Sequence, residues 1–336
     1  MMEIEPILRC YGRDSQPSHV ESLGSAGGLS GAQLWRLVAP RGVLVLRRWP
    51  VEHPTPDGLR FIHAVLGHAA NRGLNFLPVP IAATDGATFA SHAGHLWELA
   101  PWMLGTADYE QSPRADKLRA AMTALAVFHN AVADFPASPP LASSLRTAPA
   151  VTTRLARLRE LQSGGADTLF RAITDSHWPE LAPLARQLLA TLPRVVPLVI
   201  GQLAPLADVP FALQPCIRDV WHDHVLFDGD RVTGFVDFGG MQIDTPATDV
   251  ARLLGSLVGD KPAGRRDGLA AYAAVRPLSE QEAAAVTALD AAGTVLAGVN
   301  WIRWIYLDGR QFENHLQVVH RFGRILVRLQ SITCDN

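Results

Sequence analysis

Near Leu99 the chain changes pattern. β-branched runs separated by glycine turns precede that point, and helical periodicity punctuated by proline follows it. Val20-Glu21-Ser22-Leu23 runs into the glycine-rich stretch Gly24 to Gly31, Gln33 to Val38 resumes extended character, Ala39-Pro40-Arg41-Gly42 turns, and Val43 to Arg48 is a run of Val, Leu and Arg. The pattern predicts strand, glycine loop, strand, turn, strand. From Asp57 to Arg72, Leu59, Ile62, Val65, Leu66 and Ala69 recur at helical spacing, and Gly73 stands where a C-terminal cap belongs. Pro78 to Ala83 and His95 to Leu99 predict two further strands. The expected class is α+β: a small lobe over residues 1–99, built on a five-stranded antiparallel sheet with one helix, a hinge at 100–105, and a large, mainly helical lobe over 106–336.

The helical part has its own punctuation. Leu118, Met122, Leu125, Ala126, Phe128 and Val132 give the segment from Arg114 to Phe135 a wide apolar face, as a buried central helix requires. Pro, Ser and Ala fill 136–150, which predicts a loop; helices are expected near 151–162 and 180–192, before a proline-interrupted apolar stretch at 193–215. Ser279 and Glu282 have capping-box spacing and predict a helix through Ala292, with two more near 294–308 and 311–330.

Composition excludes several classes. Thirty Lys and Arg against 32 Asp and Glu give a net charge of −2, with 48% hydrophobic residues, so the chain is neither a disordered tail nor a polybasic nucleic-acid binder. Glu3 and Glu5 stand where a signal peptide needs basic residues, and no uninterrupted apolar run reaches ~18 residues, so neither secretion nor membrane insertion is expected. Cys10, Cys216 and Cys334 are odd in number and outside any CxxC pattern, which argues against a disulfide framework or structural zinc and for a reducing cytoplasm. The Walker A spacing, the Gly-x-Ser-x-Gly elbow and the dinucleotide fingerprint are all missing from the sequence.

The stretch richest in chemistry is Cys216 to Asp237. Val225-Leu226-Phe227, the Asp228-Gly229-Asp230 turn and Arg231 to Val236 predict a hairpin, because Asp-Gly supports the positive φ of such turns. Asp219 lies just before its first strand and Asp237 at the exit of its second, so a hairpin brings the two acids side by side. Two carboxylates and a ligand-type residue on a rigid turn are what phosphoryl transfer needs: one acid to orient and deprotonate the attacking hydroxyl, another to hold Mg²⁺ on the phosphates.

These residues, taken with the glycine loop, the third-strand cation and the hinge, resemble the aminoglycoside phosphotransferase and choline kinase-like family of the two-lobed protein-kinase-like fold, which includes homoserine kinases of the second type. The resemblance covers nearly the whole chain. It is carried by Ile217-Arg218-Asp219-Val220-Trp221-His222-Asp223-His224, by Val236-Asp237-Phe238-Gly239, and by Asp244-Thr245-Pro246-Ala247-Thr248-Asp249-Val250-Ala251. It implies transfer of the γ-phosphoryl group of Mg-ATP, bound between the lobes, to a hydroxyl of a small molecule, with no nucleic-acid or membrane partner. Asp219 would be the catalytic base, Asp237 the metal ligand, with His224 or Asp223 as second ligand, and Asp249 the acid that supports the loop. Gly27, Gly28 and Ser30 would cover the phosphates, Arg47 would grip them, and Glu98, Ala100 and Trp102 would turn backbone groups toward adenine. The C-terminal helices, with Trp301, Trp304, Tyr306, Phe312 and His315, would line the acceptor pocket.

The departures are specific. His224 fills the place of a metal-binding Asn, a poorer partner for hard Mg²⁺ and a better one for Mn²⁺. Ile217 and Arg218 replace His-Gly. Arg47 replaces Lys, and residues 57–72 hold no Glu to pair with it, with Phe61, Ile62 and His63 near the expected position. Two other readings therefore stay open: a nucleotide-binding pseudokinase acting as scaffold or sensor, and a metal-dependent phosphohydrolase built on His222, Asp223, His224 and Asp237.

Overall fold

In a computed structural model, residues 3–25, 31–136, 146–174, 178–312 and 315–332 are described. The chain runs through α1 (Glu5–Leu8), β1 (His19–Gly24), β2 (Gln33–Ala39), β3 (Gly42–Arg48), α2 (Pro56–Asn71), β4 (Ala90–His92), β5 (His95–Pro101) and α3 (Ala115–Val132). It continues through β6 (Arg146–Thr147), α4 (Pro149–Glu160), α5 (Ala166–Ala172), α6 (Ala182–Leu203), β7 (Pro210–Phe211), β8 (Gln214–Cys216), β9 (Val225–Asp228) and β10 (Arg231–Phe235). The last elements are β11 (Gln242–Asp244), α7 (Ala247–Val258), α8 (Pro262–Ala273), α9 (Glu280–Ile302) and α10 (His315–Ile332). They form two compact units, Met1–Phe135 with Asp219–Met241, and Pro136–Arg218 with Gln242–Asn336.

The first unit is built on an antiparallel sheet of order β1-β2-β3-β5-β4. Strand alternation sends Trp35, Leu37, Leu44, Leu46, Trp97 and Leu99 to one face, where Ile4, Ile7, Leu8 and Tyr11 from the N-terminal segment cover them. Alternate residues, Arg47 and Glu98 among them, take the opposite face. Helix α2 begins where the sequence sets it: the Thr55 hydroxyl accepts the Gly58 N–H, Pro56 fills the first helical position, and Leu59, Ile62, Val65, Leu66 and Ala69 are buried.

Five strands form the sheet, but one of them is not the segment expected. Pro78 to Ala83 is irregular, because Pro78 and Pro80 have no N–H to give a ladder; Ile81 alone donates to Leu99 O at 2.7 Å. The edge strand is β4, joined to β5 by the tight turn Ala93-Gly94, both residues at positive φ. Alanine disguises that turn in the sequence.

In the second unit α9 is the central helix, packed against α4, α6, α7 and α10. The capping box forms as expected, with Ser279 Oγ accepting from Glu282 N at 3.1 Å and Glu282 Oε2 from Ser279 N at 3.0 Å. Two expected boundaries move. Helix α6 runs through Pro193 and Pro197, held by the buried stripe Leu192, Val195, Val196, Val199 and Leu203, and α9 continues past Ala292 to Ile302 instead of restarting near 294. Both are long and apolar enough to cross a membrane by length and composition, yet each buries its apolar side against neighbouring helices of this unit.

Candidate active site

The expected hairpin is present. β9 and β10 pair with Asp228 opposite Arg231, and Gly229 takes the positive φ of +59° that the two-residue turn demands. The segment after β5 docks onto it: Thr106 and Phe227 exchange backbone hydrogen bonds of 3.0 and 2.9 Å, and the Thr233 hydroxyl donates to Leu104 O at 2.6 Å. Gly105 allows this approach, since a Cβ there would lie 2.3 Å from Thr233 Oγ1 and 2.8 Å from Phe227 O.

Asp237 follows β10 with φ at +62°, the left-handed region that side chains other than glycine seldom adopt. Its Oδ1 accepts from Arg47 Nη1 at 3.3 Å, and its Oδ2 lies 3.7 Å from His224 Nε2. Burial works to raise this carboxyl, but the Arg47 charge, then His224 and the Gly239 N–H, outweigh it and hold it below the usual carboxylate range. Asp237 is thus kept as an anion, a hard oxygen donor.

Arg47 is not unpaired. It stands directly opposite Glu98 in the β3–β5 register, with Nε 3.6 Å from Glu98 Oε1, and its guanidinium stacks over the Trp49 ring at 4.6 Å. The helix partner expected by resemblance is replaced by a strand acid, and α2 contributes His63, whose Nε2 is 2.7 Å from Glu98 Oε2. Burial would raise the Glu98 carboxyl, and the His63 hydrogen bond and Arg47 charge bring it below its ordinary value. Trp49 also packs against the Asp237 segment: its ring lies 3.0 Å from where a Cβ of Gly239 would be.

Asp219 is exposed and opens the loop that leads into β9. Its carbonyl accepts from His224 Nδ1 at 2.7 Å, while His224 Nε2 accepts the Trp221 indole N–H at 2.9 Å. Both ring nitrogens of His224 therefore close this loop. Just upstream, in the second unit, Asp249 accepts the Ile217 N–H at 2.6 Å and the Arg218 N–H at 2.7 Å. Arg218 has φ of +64°, in the left-handed region that glycine favours, and its side chain reaches Gln242 Oε1 at 2.5 Å and Asp244 at 3.6 Å.

The remaining candidates are placed less centrally. Asp223 gathers with His222 and Glu110, His222 Nε2 being 3.4 Å from each carboxylate. Trp102 N donates to Val43 O at 3.0 Å, which sets Ala100 and Glu98 in the hydrogen-bonded ladder positions, their backbone groups turned to β3. Gly27, Gly28 and Ser30 lie outside the described residues. In the second unit Trp301 packs on Trp304 and Phe312 at 5.3 and 5.1 Å, and His315 lies 4.1 Å from Trp178. The residues that sequence reasoning passed over are Glu98 as an acid, Trp49 and His63; the only signal was His63 standing in the empty helix slot.

A family model described as "Phosphotransferase enzyme family" matches residues 24–285. A homoserine kinase from Brucella anthropi is 31% identical over 239 residues, 69% of this chain and 64% of the relative. This chain thus matches less than two thirds of that relative's length. Among solved structures, a spectinomycin phosphotransferase in complex with ADP and spectinomycin has a TM-score of 0.69 at 11% identity, covering 98% of each chain. An amicoumacin kinase in complex with AMP-PNP, Ca²⁺ and its ligand has a TM-score of 0.66 at 11% identity, covering 99% of this chain and 93% of the other. At such identities the likeness is one of fold, and the kinase-like fold expected above is the one found.

Proposed function

The chain belongs to the phosphotransferase enzyme family, and from that premise we propose that it transfers the γ-phosphoryl group of ATP to a hydroxyl of a small molecule. The observation that carries this reading is the pair of Arg47 and Asp237, a phosphate-type cation on the sheet held against an ionised carboxylate at the end of the hairpin. On this reading residues 1–99 are the nucleotide-binding lobe, 100–105 the hinge, and 106–336 carry the catalytic loop and acceptor pocket.

Asp219, exposed and fixed by its carbonyl, would orient the acceptor hydroxyl and take its proton as the oxygen attacks phosphorus. Asp249 acts upstream of it, keeping Ile217 and Arg218 in the conformation that presents the acid. Arg47 would contact phosphate oxygens through its in-plane guanidinium N–H groups, in an orientation set by stacking on Trp49 and by Glu98. The donor set fits Mg²⁺ at Asp237, an anionic oxygen ligand; His224 fits poorly as a second ligand, because its nitrogens brace the loop. Mg²⁺ held there would neutralise charge on the phosphate oxygens. The acceptor on this reading is a small hydroxyl compound, aminoglycoside-, choline- or homoserine-like.

The test is thermal stability with ATP, ADP and GTP, each with Mg²⁺, Mn²⁺ or EDTA, followed by a screen for phosphate transfer to acceptors. Ligand at ~100 times its dissociation constant should stabilise the chain by about 2.7 kcal/mol. A metal-dependent shift with transfer supports the reading, and no shift with any nucleotide overturns it. The engagement of both His224 nitrogens favours one alternative, a nucleotide-binding pseudokinase, which would give the shift without transfer to any acceptor.

A further inference from the structure

We infer that His63 is a positioning residue that holds Arg47 in place through Glu98, a relay from helix α2 to the phosphate-facing cation; this rests on the phosphotransferase reading above. The relay is continuous in the first unit. Thr88 Oγ1 lies 2.8 Å from His63 Nδ1, His63 Nε2 lies 2.7 Å from Glu98 Oε2, Glu98 Oε1 faces Arg47 Nε at 3.6 Å, and Arg47 Nη1 donates to Asp237 Oδ1 at 3.3 Å.

The proton order follows from the chemistry of the groups. An ionised Glu98 only accepts, so Nε2 of His63 carries a proton and donates it, and the Thr88 hydroxyl, which rotates freely, pairs with Nδ1. Glu98 is left with one oxygen for the helix and one for the cation. Its side chain is 13% exposed and that of His63 2%, so water does not replace either partner cheaply. Without the His63 donor, the carboxylate loses the contact that fixes its rotation and favours its charge, and Arg47 loses its orientation toward phosphate.

The arrangement also explains how the sheet and helix stay coupled with no Glu on α2. In the resemblance, a helix carboxylate meets the cation directly. In this chain the carboxylate has moved onto β5, opposite Arg47 in register, and the helix supplies the hydrogen-bond donor that holds it.

Two near-isosteres separate positioning from packing. His63→Gln keeps an N–H at the Nε2 position facing Glu98, whereas His63→Asn keeps only a group at the Nδ1 position facing Thr88. The measurement is the dissociation constant of Mg-ADP by calorimetry for the full chain, with the melting temperature of each variant as a control. His63→Asn should weaken binding about tenfold, equivalent to about 1.4 kcal/mol, and His63→Gln by less than about threefold. Glu98→Gln, which preserves shape, should weaken it comparably, and adding His63→Asn to it should cost nothing more. Equal affinities for the Gln and Asn variants, or an undiminished Asn effect in the Glu98→Gln background, would overturn the relay alone. Should His63→Asn fail to fold, wild-type affinity in Glu98→Gln overturns it instead. Failure of the wild-type chain to bind any nucleotide would overturn the phosphotransferase reading and the relay with it.

Discussion

Arg47 Nη1 donates to Asp237 Oδ1 at 3.3 Å across a sequence separation of 190 residues. The contact joins the third strand of the sheet to the exit of a hairpin, and places a fixed cation beside a carboxylate held ionised. Phosphate chemistry requires both signs within one side chain's reach, one for the phosphate oxygens and one for the metal that accompanies them.

Replacing Asp219 by Asn removes the proposed base while keeping the side chain's size and leaving its carbonyl, which receives His224, unchanged. Nucleotide affinity should stay as in wild type while turnover falls by at least ~10²-fold, read by steady-state kinetics and calorimetry on the same preparation.

Asp237→Ala removes the proposed metal ligand and the partner of Arg47. The metal-dependent part of the nucleotide-induced melting shift should disappear, so that Mg²⁺ and EDTA samples coincide. A shift that still depends on Mg²⁺ would move the metal site elsewhere.

Glu98 sets a pH dependence. Burial acts to raise its pKa, but the His63 hydrogen bond and the Arg47 charge leave it below the ordinary 4.5. A depressed carboxyl contributes stability above its unfolded pKa and loses it as pH falls through the folded one. Glu98→Gln should therefore unfold more easily than wild type at pH 7, the gap narrowing below about pH 4.5 in urea titrations run across pH.

Gly105→Ala meets two penalties at once, a φ of +106° and a Cβ 2.3 Å from Thr233 Oγ1. The loss should be about 2–4 kcal/mol, measured by denaturant unfolding. The hairpin is anchored through this contact, so nucleotide binding should weaken in parallel.

Asp249 is fully buried and accepts the N–H groups of Ile217 and Arg218 at 2.6 and 2.7 Å. Asp249→Ala orphans both donors and should cost about 3 kcal/mol. It should also lower turnover, as Arg218 is held at a φ of +64° that arginine does not otherwise favour.

Local signals were legible where one residue forces one outcome. Thr55 and Pro56 start α2, the Ser279 and Glu282 pair starts α9, and Asp228-Gly229 turns the hairpin at the heart of the site. The edge strand was misplaced because Ala93 occupies a turn position that usually announces itself as Asn or Gly. Prolines 193 and 197 read as a break, yet a buried stripe carries α6 through them, an outcome set by packing rather than propensity.

The hairpin itself was readable because its geometry is local: a two-residue turn sets Phe235 opposite Val225, and beyond that pair His224 Nε2 lies 3.7 Å from Asp237 Oδ2. The partners of the cation were not. Arg47 looks unpaired in the sequence, as α2 holds no Glu. Only the register of β3 against β5 sets Glu98 opposite it, and only the packing of α2 on that face brings His63 to Glu98. The sequence alone determined the hairpin, the capped helix starts and the family pattern, since those depend on neighbours within a few residues. The tertiary structure decided which charges meet, because pairing across strands and helices depends on register and face, and no short-range pattern encodes either.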